Sequence, residues 1–186
     1  IFVVIAAPAA GDVISLPAQT VDFNSIEADP AFGDPSVEEN SLVFYPTTFA
    51  VSSAGGAAPG LLDGRLAVTI SASTGTHIAS ISLSEWGIYE LTGTGTADTK
   101  AEVGLAWFVT ILEVDGNPIT PILFNDNMTF APKEDGKFNL ADDPGDEVEW
   151  TGSVLLNIAG ALADAGVAGG ATEVVLALDN TLFAGS

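Results

Sequence analysis

The sequence predicts an all-β protein: an antiparallel, jelly-roll-like β-sandwich with an apolar N-terminal strand or arm and at most one short helix near residues 158–167. Three observations predict it. About a dozen short stretches are rich in Val, Ile, Leu, Thr and aromatic residues, many with period-two alternation. Clusters of Gly, Pro, Asn and Asp punctuate them. Only residues 158–167, rich in Ala, favour a helix, and Gly160 and Gly166 weaken even that one.

Residues 1–10 carry no polar side chain. Three readings of them stand open. Ala7-Pro8-Ala9 has the form of a signal-peptide cleavage site after an apolar stretch. Ile, Phe and Val also suit a strand of the chain's own sheet. The third reading is a donor strand laid along a neighbouring subunit, with Phe2, Val4 and Ile5 as anchors. The stretch is too short to span a bilayer, which takes about 20 apolar residues.

Residues 12–16 and 19–23 read as short strands about Pro17, and residues 24–40 as a long acidic loop. Residues 41–51 read as a strand bent at Pro46, and 52–60 as a small-residue linker. Asp63-Gly64 reads as a turn before a strand at 65–73, whose Leu66, Val68 and Ile70 share a face. Strands follow at 77–83, where Ile78 falls out of phase, and at 86–91. The longest, 101–114, puts Val103, Leu105, Trp107, Val109 and Ile111 on one side. Asp115-Gly116 between apolar runs is the strongest hairpin signal. Pro118 and Pro121 mark 119–124 as an edge strand. A second hairpin joins 128–130 to 138–140, and strands at 147–158 and 172–183 flank the helix. Residues 11–186 are expected to form a single domain.

The chain has 47% apolar residues, enough for a sizeable core, and no cysteine. A disulfide framework, a thiolate metal site and a Cys nucleophile are thereby excluded. Four Lys and Arg stand against 25 Asp and Glu, a net charge of −21. Such a surface repels nucleic acid and anionic lipid. It also keeps a chain of mean hydropathy +0.40 dispersed.

No catalytic signature appears: no HExxH, P-loop or EF-hand pattern, and a single histidine, His77. No cofactor is required. Calcium is the cation that the acidic clusters suit, since hard cations take several oxygen ligands. Asp142, Asp143, Asp146 and Glu147 form the first cluster, and Glu27, Asp29 and Asp34, with Glu38 and Glu39 beyond, a weaker second. The competing reading of each is a solvated acidic turn. Trp107 and Trp150 lie on apolar faces and belong to the core, which leaves Trp86 as the candidate ligand-stacking aromatic.

The C-terminal part, carried by residues 147–152 (EVEWTG) and 172–182 (TEVVLALDNTL) around a small-residue insert, resembles secreted bacterial proteins of the PEP-CTERM, exosortase-sorted type. The resemblance implies export, a β-sandwich and an extracellular matrix; that family's sorting tail would lie beyond Ser186. The expectation is a non-enzymatic structural subunit of an extracellular or cell-surface filament or matrix. It would be its own partner through strand addition of the arm. The alternative is a secreted carbohydrate-binding module that uses Trp86 on an extracellular polysaccharide, with a carboxylate-based glycosidase third.

Overall fold

A computed structural model describes residues 14–96 and 98–186, and the expected arm with Phe2, Val4 and Ile5 lies outside them. The described chain is an antiparallel β-sandwich of unequal sheets. The larger sheet runs in the order β1 (Ile14–Pro17), β2 (Val21–Ala28), β5 (Gly60–Ala72), β12 (Ala171–Gly185), β7 (Lys100–Val114). Two strands share the far side of β7: β8 (Asn117–Phe124) pairs near its C-terminal end and β10 (Lys137–Asn139) near its start. The smaller sheet is β6 (Ile81–Leu91), β11 (Gly145–Leu156) and β9 (Thr129–Ala131). From β5 to β12 the chain changes sheet at every step except the β7–β8 hairpin, the alternation of a jelly roll.

Period-two patterning builds the core. Leu66, Val68 and Ile70 of β5, Val174, Leu176 and Leu178 of β12, and Trp107, Val109 and Ile111 of β7 are all buried. Against them lie Ile81, Leu83 and Tyr89 of β6 and Trp150 and Leu156 of β11. Tyr89 stacks on Phe138 of β10, ring centres 4.2 Å apart, which joins the two sheets at one side. The Asp115-Gly116 turn has positive φ at both residues, as a tight hairpin requires. The helix α1 (Ile158–Asp164) forms where expected, and the Asn157 side chain caps it by accepting a hydrogen bond from the Gly160 N–H at 2.9 Å.

Several local expectations are corrected. The segments 128–130 and 138–140 do not form a hairpin: β9 pairs with β11 in the smaller sheet and β10 with β7 in the larger. Residues 24–40 are not one loop. β2 continues to Ala28 through a bulge at Ser25, a 3₁₀ turn follows at Pro30–Phe32, and β3 (Ser36–Glu38) pairs with β4 (Ser41–Val43) as a hairpin. The strand expected over 41–51 stops at Val43. Asp63-Gly64 is no turn but lies inside β5. A Cβ at Gly64 would sit 2.0 Å from the Phe32 ring, so glycine here serves close packing and not a reversal. The strands expected at 77–83 and 86–91 are one strand, β6. Ile78 precedes it in a loop, buried, with its N–H bonded to the Ala171 carbonyl.

Candidate binding groove and strand edge

β6 is the element on which the candidate functional features converge. Its odd-numbered side chains point into the sandwich and its even-numbered ones point out, the direct consequence of strand geometry. Its register against β11 is unbroken over nine positions, from Ile81 to Tyr89, and shifts only at the Glu147 bulge, where Glu147 has a φ of 51°. Trp86 therefore faces Thr151, Ser84 faces Ser153 and Ile88 faces Glu149 on the outer surface. Trp86 is 57% exposed, as the sequence leads one to expect of it, whereas Trp107 and Trp150 are in the core.

Two contiguous depressions run along this outer face. The first, about 470 Å³, is bounded by Trp86, Glu149, Thr151, Ser84 and Ser153. The second, about 440 Å³, shares Ser84 and Ser153 and continues past Thr129 and Leu155 to Asp126 and Asn127. From Glu149 to Leu155 the strand advances about 20 Å at ~3.3 Å per residue. Among the three strands lining this face there is no Lys or Arg.

The other side of β6 is a sheet edge. Among the described residues β6 pairs only with β11. Among the described residues the remaining edges of these two sheets are short or carry proline: β1 has four residues and ends at Pro17, β9 and β10 have three each, and β8 holds Pro118 and Pro121. β6 has eleven residues and neither Pro nor Lys.

Glu85 is the feature that reading the chain as two strands misses. Joined as one strand, Ile81, Leu83, Glu85, Gly87, Tyr89 and Leu91 form a single inward series, and the acid among them is the legible anomaly. Its carboxyl is buried with no hydrogen-bond partner for either oxygen among the described residues. Burial pushes its pKa up to about 8, and a polar contact with Asn180 pulls the other way without closing as a hydrogen bond. Asn180 Oδ1 and Trp107 Nε1 are likewise buried and unpartnered. They are neighbours on the inner face of the large sheet, where Leu178 pairs with Trp107 and Asn180 with Leu105.

The acidic clusters do not converge. No group of three or more His, Asp or Glu among the described residues is placed to hold a metal ion. Asp143 is engaged by the Lys133 ammonium and by the Asn139 N–H at 2.9 Å. Burial would raise its pKa, but these two hydrogen bonds and the Lys133 charge outweigh that and hold it below the usual carboxylate range. Asp142 accepts from the Asn139 side-chain amide, while Asp146 and Glu147 are exposed. In the second cluster Asp29 accepts from the Arg65 N–H at 3.0 Å and so fastens the segment between β2 and β5, which covers Gly64 with Phe32, to β5, while Glu27 and Asp34 are exposed. His77 pairs with Asp115 at 2.9 Å, and Asp115 also accepts from the Gly170 N–H. That contact ties the loop before β6 to the β7–β8 turn, which is a structural use of the lone histidine. No family model, curated protein or solved structure matches the chain.

Proposed function

We propose that the protein is a non-enzymatic structural subunit of an extracellular or cell-surface assembly, joined to its neighbour by strand addition. The donor is the apolar stretch of residues 1–10 and the acceptor is the free edge of β6. What supports it is that edge: eleven residues with one side unpaired among the described residues, lacking the proline and lysine by which sheets commonly protect themselves. Main-chain hydrogen bonds along the edge supply affinity, and alternate side chains of the donor set the register. The inward face of the added strand would meet the open side of the sandwich, which suits an apolar stretch. Calcium, where acidic loops of adjacent subunits meet, is a secondary element of this proposal.

The test compares the intact chain with one lacking residues 1–10 by light scattering and electron microscopy, then adds a peptide of residues 1–10 to the shortened chain. The expected result is assembly of the intact chain, monomers of the shortened one, and peptide-dependent protection of backbone amides in Ile81–Leu91 against hydrogen exchange. Assembly that survives the deletion, or protection confined to another strand, overturns it.

A further inference from the structure

We propose that the outer face of the β6–β11–β9 sheet binds a cationic amino-sugar polysaccharide, with Trp86 stacking against a ring and Glu149 pairing with an ammonium group. This inference is independent of how subunits join, because it uses the outward side chains of β6 and not its backbone edge.

The shape comes first. The two depressions meet at Ser84 and Ser153 and form one shallow trough along the strands, open at the surface, which suits an extended chain better than a compact ligand. The chemistry of the lining comes second. A half-exposed indole at one end gives a flat apolar platform of the kind the ring faces of pyranoses cover. Ser84, Thr151, Ser153 and Thr129 line the floor with short hydroxyls, each both donor and acceptor, that match sugar hydroxyls.

Charge then selects the class of glycan. Glu149 borders the first depression, Asp126 the second, and no basic side chain stands on any of the three strands. A sulfated or uronic polymer meets like charge here and a net charge of −21 over the molecule. A neutral glycan offers the carboxylates only hydroxyl donors, whereas glucosamine units bearing free amines add an opposite charge to the hydrogen bond.

The test is isothermal titration of the full chain with soluble, partly deacetylated chitosan oligomers at a pH that protonates their amines. The fully N-acetylated oligomers, cello-oligomers and poly-lysine serve as comparisons. Chitosan oligomers are expected to bind at least tenfold tighter than the neutral oligomers. Trp86→Ala should lose about tenfold, a change of ~1.4 kcal/mol. Glu149→Gln should reduce chitosan binding without affecting the neutral oligomers. Thr151→Arg, on an exposed position facing Trp86, should abolish it while leaving the core untouched. Equal binding of chitosan by the parent and Trp86→Ala, paralleled by poly-lysine, would reduce the effect to bulk attraction between opposite charges and overturn the site. Equal affinity for acetylated and deacetylated oligomers would overturn the assignment to amino sugars.

Discussion

Glu85 is held neutral at pH 7 by its surroundings, since burial disfavours the charge and, among the described residues, its carboxylate oxygens have no hydrogen-bond partner within reach. The unfolded chain releases this proton near pH 4.5, and the folded chain keeps it until about pH 8. Between those values the folded state binds more protons than the unfolded one. The stability that Glu85 contributes is therefore fully present below pH 4.5, declines as pH rises and is lost above about pH 8. The whole effect is on the order of a few kcal/mol, at about 1.4 kcal/mol per pH unit of separation. Glu85→Gln keeps the shape and removes the titration. Urea denaturation should show parent and variant close together at pH 5 and the variant clearly more stable at pH 9. Parallel stability curves across that range would mean that the carboxyl finds a partner in solution. Among the tryptophans, sequence alone separates Trp86 from Trp107 and Trp150, because the latter two fall in phase with long apolar series. Sequence does not expose Glu85, whose phase becomes visible only when β6 is read unbroken.

Elements with strict alternation were legible in their inward faces, though not always in their ends: β5 begins five residues before its expected start. The inward faces of β5, β7 and β11 are those that period two marks, and the Asp115-Gly116 hairpin sits where its residues demand. The segment between β2 and β5 was not legible, because its structure depends on contacts across the fold. Phe32, fully buried, stacks on Phe49 with ring centres 4.1 Å apart, and both press on the bare backbone at Gly64. Glycine after aspartate signals a turn locally, yet here the absent Cβ makes room for two rings. Gly64→Ala should accordingly destabilise by about 1–3 kcal/mol through overpacking. Thermal denaturation by circular dichroism would register it, and an unchanged Tm would show that the covering segment yields freely. The acidic runs were legible as residues but not as sites. Asp143 and Asp29 are taken up by Lys133, Asn139 and Arg65, partners whose proximity only the tertiary fold decides.

For the whole molecule, the −21 charge is the property that every contact must accommodate. Self-repulsion among surface carboxylates opposes the compact state and is screened by salt. The Debye length contracts from about 30 Å at 0.01 M to about 8 Å at 0.15 M. Over that interval Tm should rise by roughly 2–4 °C for each ~1 kcal/mol gained in a chain of this size. Calcium chloride matched to sodium chloride in ionic strength separates screening from coordination. An additional rise with calcium alone would mark a specific site, and an equal rise would identify the acidic clusters as solvated surface.

The strand at the border of the smaller sheet does three things that do not compete. Its odd side chains belong to the core, its even side chains to the outer trough, and one line of its backbone to whatever pairs with it. If subunits join along that line, the troughs of successive subunits are set at a fixed spacing on one ribbon. A polymeric glycan then meets many weak sites at a high effective concentration, and avidity replaces the affinity that a shallow trough lacks. Such a surface would hold long chains firmly and release short ones, so among sugars of the right charge it is length that would decide what stays bound.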